Sequence, residues 1–190
     1  MKTKILILLM ALSLVSTMQA QVPQHLCAFC KPAPQIPPVK DNGIAQKQVN
    51  QVTNLLGMQP IPVYTGQVAN ASASAVPNGF GGFSPVIHFN PAFLNQLSQL
   101  GKWAPFSVLA HEVGHHYHGD ATFYGKFTHP WTKELRADFI SGYVLAKMGA
   151  TLEESTRALR STFNLLGSHT HPDTPKRLEA LSAGWRRAHQ

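Results

Sequence analysis

Apolar and polar positions along this chain follow two different patterns, and one of them predicts most of the structure. Between residues 44 and 56, apolar side chains return every three or four positions, which predicts a helix that Gly57 ends. The same period, bounded by capping residues, predicts further helices later in the chain. Their expected ranges are 91–100, 103–117, 131–148, 151–166 and 174–187.

The stretch from residue 60 to residue 90 has the second pattern and predicts strands. Small and β-branched residues in IPVYTGQVANASASAV and the run PVIHF lie on either side of the turn signal NGFGG. The helices are bounded by expected caps: Asn90 before Pro91, a capping box of Thr151 and Glu154, and Thr174 before Pro175. Together these elements predict an α+β fold, mainly helical with a small sheet at its front.

Residues 1–20 have the pattern of an export signal. Lys2 and Lys4 precede an apolar run from Ile5 to Val15, which is too short to span a bilayer as a helix, and Ala20 suits cleavage. No later segment is long and apolar enough to cross a membrane. We therefore expect a signal peptide (1–20), and a mature protein that is soluble and either periplasmic or secreted.

Residues 21–43 are rich in proline and have no periodic pattern, which predicts an extended leader before a single domain over 44–190. The leader contains Cys27 and Cys30, the two cysteines of the 190-residue chain. In an oxidising compartment such a close pair predicts a local disulfide. A zinc site would need two more ligands, and haem attachment would need histidine where Lys31 stands.

Positive charge exceeds negative charge by seven at neutral pH, and much of the excess lies late in the chain. A solvated helix face explains such a short basic run, and attraction to an anionic membrane surface is the alternative. No nucleic-acid-binding motif accompanies the charge, so nucleic acid is not an expected partner. The residues concerned are Lys176, Arg177, Arg186 and Arg187.

The candidate chemistry is concentrated in LAHEVGHHYHGD, residues 109–120. His111 and His115 are four positions apart, so on a helix both imidazoles project from one side and can hold one zinc ion. Glu112 lies on the flank of that helix, where it can reach a water molecule at the ion. The alternative is a histidine-rich helix end that binds no metal.

Glu134 and Asp138 supply the acidic groups that a catalytic zinc site needs. They are also four positions apart on the next predicted helix, so their carboxylates share a face. Glu134 would complete the ligand set and leave one position open, while Asp138 would accept the free N–H of a ligand histidine. An ordinary helix ion pair with Lys133 or Arg136 is the alternative for Glu134, and it is the less favoured one because residues at those spacings do not face each other.

Three stretches resemble gluzincin zinc metallopeptidases, and among them most of all the CaaX prenyl endopeptidase and HtpX-like family. They are HEVGHHYHGD, ELRADFISGYVLAKMG and SHTHPDTPKRLEAL. In the third, His171, Pro172 and Arg177 match a His-Pro followed by Arg near the active site of that family. The resemblance covers about residues 50–185. This chain departs from the family in having no transmembrane helix and only 18 residues between His115 and Glu134.

The resemblance implies a zinc metalloendopeptidase (Zn2+ cofactor) in which Glu112 is the base. His171 and Arg177, then Tyr143, are the candidates for stabilising the oxyanion, and a solvent-exposed loop is the alternative for His171. The stretch VANASASAV resembles the family's edge strand, so a protein or peptide substrate would pair along residues 68–76. The other nearby side chains are expected to be inert: His116 and His118 facing solvent, and Phe123, Tyr124 and Phe127 packed rather than lining a pocket.

An exported zinc-dependent metalloendopeptidase, with a role in envelope quality control, is therefore the leading expectation. A zinc-containing binding or assembly factor with little proteolysis is the alternative, and the intact Glu112 favours the enzyme. A haem or redox carrier acting through CAFCK is a third class, which predicts visible absorbance.

Overall fold

Six helices and four short strands make up the part of the chain that the computed structural model describes, residues 39–66, 68–162 and 166–190. This confirms the predicted α+β class, mainly helical with a small sheet. The strands are β1 (Val39–Lys40), β2 (Val63–Thr65), β3 (Ala71–Pro77) and β4 (Phe83–Phe89). The helices are α1 (Ile44–Leu55), α2 (Pro91–Ser98), α3 (Trp103–Tyr117), α4 (Pro130–Lys147), α5 (Leu152–Thr162) and α6 (Thr174–Arg187), with a 3-10 turn at Tyr124–Phe127.

Local capping signals place most helix starts where the sequence predicts them. The side chain of Asn90 accepts hydrogen bonds from the first turn of α2. At α5, Glu154 accepts from the backbone N–H of Thr151 at 2.9 Å, and its own N–H donates to the Thr151 hydroxyl at 3.2 Å. These bonds satisfy amide groups that a helix start otherwise leaves without partners.

The predicted cap of the last helix was wrong by one residue. Asp173, and not Thr174, caps α6, because its carboxylate accepts the backbone N–H of Lys176 at 3.0 Å. A carboxylate at this position also interacts favourably with the positive end of the helix dipole. Of the expected 151–166 helix, residues 163–165 lie outside the described part of the chain.

The sheet has the order β1-β2-β4-β3, so β3 is one of its two edge strands. Strands β3 and β4 form an antiparallel hairpin around the predicted turn, with Ala73 opposite Ile87, and β2 runs parallel to β4. Strand β1 lies in the segment assigned to the leader, where Val39 pairs with Thr65 of β2. The expected signal peptide and residues 21–38 of the leader, which include both cysteines, lie outside the described residues.

Helix α3 lies at the centre of the fold, between the sheet on one side and α4 and α5 on the others. Its apolar residues Leu109 and Val113 are fully buried, as are Val52 of α1 and Ile87 of β4. Because α3 is covered on nearly all sides, its polar residues Ser107, Glu112 and His115 are buried as well. Among the described helices, none combines the length and apolar character needed to cross a membrane.

Small residues allow the central helices to approach each other closely. A Cβ atom added at Gly114 of α3 would lie 2.9 Å from the Cα of Ala137 on α4. On the other side of α4, a Cβ at Gly184 of α6 would clash with the carbonyl oxygen of Phe139, and one at Gly142 with that of Leu181. These two crossings set how close side chains of α3 and α6 come to those of α4.

Candidate metal centre

His111, His115 and Glu134 converge on one point between α3 and α4. The Nε2 atoms of the two histidines are 3.1 Å apart. The Nε2 atom of His111 lies 3.4 Å from Oε2 of Glu134, and the Nε2 atom of His115 lies 3.5 Å from Oε1 of the same carboxylate. Ligands at about 2.0–2.1 Å in a tetrahedral site are separated by roughly 3.4 Å. One ligand atom from each of the three residues lies within 4.8 Å of the other two, so this group could hold one metal ion.

The outer nitrogen of each ligand histidine bonds to a carboxylate. Nδ1 of His111 lies 2.9 Å from Asp138, and Nδ1 of His115 lies 2.9 Å from Asp120. Since an ionised carboxylate only accepts hydrogen bonds, both Nδ1 atoms carry the hydrogen. With the hydrogen on Nδ1, each ring in its neutral form directs an Nε2 lone pair to a common point, which is the tautomer that a metal ligand requires.

Asp138 was predicted in this role, whereas Asp120 was not. Asp120 follows the end of α3, where Gly119 adopts a φ of 70° and turns the chain back toward His115. The sequence did contain a signal for Asp120, because it is an acidic residue directly after a glycine at the end of the helix that carries His111 and His115. A left-handed glycine there commonly ends a helix, but it does not show where the next side chain points.

Two arginines pair with the two supporting carboxylates. Arg177 of α6 forms a bidentate pair with Asp138, with N–O distances of 2.7 Å and 2.8 Å, and its side chain is 2% exposed. Its Nη2 also lies 3.4 Å from Glu134. Arg136 of α4 forms a close ion pair with Asp120. Arg177 therefore lies behind Asp138 and next to one ligand.

The buried groups carry a net negative charge that a divalent cation would balance. Glu112, Asp120, Glu134 and Asp138 are all buried carboxylates, whereas only two arginines, Arg136 and Arg177, form ion pairs with this group in the described part of the chain. Two negative charges are left over at the point where the ligand atoms converge. Burying unbalanced charge is costly, so a divalent cation at this point would neutralise the site.

The protein's own titratable groups compensate only part of this excess. Although burial lowers the pKa of His111, the carboxylates of Asp138 and Glu134 outweigh it and raise the pKa to about 10. Burial and the neighbouring charge on His111 lower the pKa of His115. Burial raises the pKa of Glu134, but the hydrogen bond from His111 and the charge on His111 outweigh burial, so this pKa lies below its usual range. One proton on His111 therefore balances one of the two charges.

Glu112 lies beside the ligand pair and bonds to the sheet. Its Oε2 accepts the backbone N–H of Ala73 at 2.7 Å, and the residue is 8% exposed. This contact was not predicted, because it joins α3 to β3 across 39 positions of sequence. It places the carboxylate of the expected base between the metal ligands and the free edge of the sheet.

His171 lines the same cavity as the two histidines, Glu134 and Glu112. Its Nε2 is 3.5 Å from Glu134, and its Nδ1 is 3.0 Å from the hydroxyl of Thr170. The loop is held at the start of α4, where the indole N–H of Trp131 donates to the carbonyl of Ser168 at 2.9 Å. His171 is partly buried at the centre, so the exposed-loop alternative does not describe it.

The cavity beside the ligands has a volume of about 60 Å³, enough for a few water molecules or a small side chain. Its polar end is formed by the metal ligands and Glu112. Ser72 also reaches it, and the buried hydroxyl of Ser72 has no hydrogen-bond partner in the described part of the chain. The apolar end is lined by Phe93, Val108, Ala158, Leu159 and Leu181.

Three expectations for nearby side chains were wrong. Tyr143 packs against the hydrophobic core and does not line the cavity, because it lies on another face of α4. The ring of His116 is partly buried and its Nε2 bonds to the carbonyl of Val86 at 2.9 Å, since α3 lies against β4. The aromatic side chains of the 3-10 turn are exposed instead of packed, because the turn projects beyond α3; they are Phe123, Tyr124 and Phe127.

Comparison with known proteins identifies no relative: no family model, no curated protein and no solved structure matches this chain. The function of this protein is therefore inferred from the geometry of the site.

Proposed function

We propose that this protein is a zinc-dependent metalloendopeptidase of the gluzincin type, exported from the cytoplasm, that hydrolyses peptide bonds of proteins. The observation that supports this proposal most directly is the convergence of two imidazole nitrogens and one carboxylate beside Glu112, a glutamate that is not one of the three converging groups. Two imidazoles with one carboxylate are a typical ligand set for catalytic zinc, and they leave a coordination position for water or substrate. The export pattern at the start of the chain supports the location.

Zinc held by His111, His115 and Glu134 would act as a Lewis acid that lowers the pKa of water toward neutrality and polarises the peptide carbonyl. Glu112 then takes the proton from the attacking water and transfers it to the leaving amine. The hydrogen bond from Ala73 fixes one carboxylate oxygen, which turns the other toward the proton. A general base of this kind typically contributes about a hundred- to ten-thousand-fold in rate.

His171 and Arg177 have different roles in this proposal. The Nε2 of His171 faces the cavity, where its N–H can donate to the carbonyl oxygen as negative charge develops on it. Arg177 is bonded twice to Asp138, so it acts on the reaction by holding Asp138, and through it His111. We therefore assign oxyanion stabilisation to His171 and positioning to Arg177.

The free edge of β3 is the proposed binding site for the substrate backbone. In an antiparallel ladder, alternate residues turn their N–H and C=O groups toward the partner strand. Ser72 and Ser74 turn theirs toward β4, and the N–H of Ala73 points outward to Glu112. Ala71 and Ala75 then turn theirs toward the same free edge. An extended peptide adding to this edge would pass directly beside the base and the metal ligands.

Glu112→Gln tests the proposal, because glutamine keeps the shape and the acceptor for Ala73 but cannot take up the proton. We expect zinc content equal to that of the unmodified protein and casein cleavage reduced about a hundredfold or more. Zinc per chain is measured by elemental analysis and cleavage by release of labelled peptides.

The matched control is Glu179→Gln, at an exposed glutamate of α6. It should retain both zinc and activity. Equal cleavage by the Glu112 and Glu179 variants would contradict the role assigned to Glu112. Stoichiometric zinc without cleavage of any protein by the unmodified chain would favour the binding or assembly factor.

A further inference from the structure

Exposed aromatic side chains are concentrated in two short segments. Phe80 and Phe83, at the turn of the β3–β4 hairpin, are 95% and 62% exposed. Phe123, Tyr124 and Phe127, in and before the 3-10 turn, are 64%, 82% and 78% exposed. We call these five side chains the aromatic tips. Scattered exposed apolar residues are ordinary on a protein surface, but five large aromatic rings in two segments indicate an interaction surface.

Both segments project from the same end of the molecule. Glu112 of α3 bonds to Ala73, and His116, one turn later, bonds to Val86, which is opposite Ser74. Helix α3 therefore advances along the hairpin toward its turn. The 3-10 turn follows the C-terminal end of α3, so it lies toward the same end of the molecule as the hairpin turn.

The hairpin turn projects from the surface, whereas the 3-10 turn is packed against the loop that follows α3. Gly79 and Gly81 adopt φ values of 78° and 77°, and the space around both is open, so the hairpin turn stands out from the surface. In the other segment, a Cβ atom at Gly125 would clash with the carbonyl oxygen of Asp120. The 3-10 turn is thus packed tightly on the loop that supports the ligand His115.

The charge distribution separates this end from the rest of the surface. Of the nine acidic residues, four are buried at the metal centre, and the others lie next to α1, on α5, or on and beside α6. None of the five more accessible carboxylates falls within the hairpin turn or the 3-10 segment. The charged side chain within these segments is Lys126, whose ammonium group lies 5.6 Å from the centre of the Phe123 ring.

We propose that the aromatic tips dock this protein on an anionic lipid bilayer. Aromatic rings insert favourably at the level of the lipid headgroups, and a neighbouring lysine is attracted to anionic lipids. The hairpin turn is a narrow projection with open space around its glycines, and the side chains of both segments are exposed. That shape suits a deformable lipid surface better than a protein partner, which needs a broad complementary face.

Docking in this orientation would bring the proposed substrate groove to the membrane. The free edge of β3 runs from the hairpin turn to Glu112, so one end of it would lie at the bilayer surface. If the proposed peptidase function holds, the substrates are polypeptide segments at or emerging from that surface. Docking itself does not depend on catalysis.

Vesicle co-sedimentation tests the proposal. The probe is phosphatidylcholine vesicles with and without phosphatidylglycerol, and the protein is purified from the exported fraction with its N-terminus defined by mass spectrometry. We expect binding that requires phosphatidylglycerol. The triple variant Phe80→Ser, Phe123→Ser, Tyr124→Ser should lose at least tenfold in partition coefficient, and Lys126→Gln should lose about fivefold.

The matched control replaces three exposed apolar residues elsewhere, Val39→Ser, Ile44→Ser and Leu166→Ser, and should bind like the unmodified protein. Far-UV circular dichroism and zinc content verify that each variant folds. As a second measurement, Phe80→Trp should show blue-shifted emission on adding vesicles. Glu112→Gln should bind vesicles normally, so loss of catalysis and loss of docking are distinguishable.

Three results would overturn the proposal. One is an unmodified protein that does not bind phosphatidylglycerol vesicles. Another is equal loss of binding in the tip variant and the control variant. The third is a lipid-free dimer, seen by sedimentation velocity, that the tip variant dissociates, because the tips would then face a second copy of the chain.

Discussion

Each ligand histidine of this site is supported by its own carboxylate and arginine. Asp138 and Arg177 support His111, and Asp120 and Arg136 support His115. The arginines come from different helices, α6 and α4. Because a carboxylate on Nδ1 both orients the ring and raises its basicity, these pairs would influence the affinity for a metal ion without touching it.

Asp120→Asn tests the support that the sequence did not reveal. Asparagine can still accept the N–H of His115, but it lacks the charge that strengthens the bond. We expect zinc affinity to fall about 10- to 100-fold, measured by competition with a chromophoric chelator. Asp173→Asn is the control, because asparagine caps α6 as well as aspartate does. An affinity that is the same in both variants would contradict the role of Asp120.

The pKa of His111 predicts how zinc affinity depends on pH. With this pKa at about 10, His111 is protonated in the metal-free protein between pH 6 and pH 8. Zinc must displace that proton, so its apparent affinity should rise about tenfold per pH unit in this range. The lowered pKa of His115 means that this ring adds no second proton at neutral pH.

Calorimetry in buffers of different ionisation enthalpy measures the proton directly. We expect release of about one proton per zinc at neutral pH. Binding without proton release, or an affinity that does not change with pH, would show that His111 is neutral before the metal binds.

At the scale of elements, the site depends on how closely α4 approaches α3 and α6. Gly114 allows α3 to approach Ala137, and Gly184 allows α6 to approach Phe139. These contacts bring His111 and Arg177 to the two sides of Asp138. A side chain at either crossing would move the helices apart and lengthen the bonds between them.

Gly184→Ala should therefore destabilise the protein and weaken zinc binding together. The added methyl group meets a backbone carbonyl that cannot rotate away, and overpacking of this kind costs about 1–3 kcal/mol. Urea unfolding and chelator competition measure the two effects. Gly66→Ala is the control, since a Cβ there makes ordinary contacts at 3.6 Å. A destabilised variant with unchanged zinc affinity would show that the crossing does not set the ligand geometry.

At the scale of the whole molecule, the buried charges link metal binding to stability. The ligands come from two helices at the centre of the fold, and without a divalent cation they leave buried negative charge uncompensated. Zinc that binds only the folded chain stabilises it by about 4 kcal/mol at a thousand times its dissociation constant.

We expect zinc removal by a chelator to lower the melting temperature by about 8–16 °C, since each kcal/mol shifts it by about 2–4 °C in a protein of this size. Differential scanning calorimetry measures the change. Glu112→Gln should show the same shift, and His115→Ala a much smaller one. A melting temperature that does not respond to zinc would contradict a metal site at these residues.

The features that could be predicted from the sequence were local. Periodicity and caps predicted the helices, and the four-residue spacing of His111 with His115 and of Glu134 with Asp138 predicted which side chains share a face. Such relations follow from helix geometry alone, because the repeat of the helix determines the direction of each side chain.

Only the tertiary structure decided which of these groups meet, and which others join them. Asp120 reaches His115 because the chain turns at Gly119, and Ala73 reaches Glu112 because β3 lies along α3. The aromatic rings of the 3-10 turn are exposed because the turn ends beyond the core. These contacts join residues from separate elements, and their distances depend on how the elements pack, which no local pattern determines.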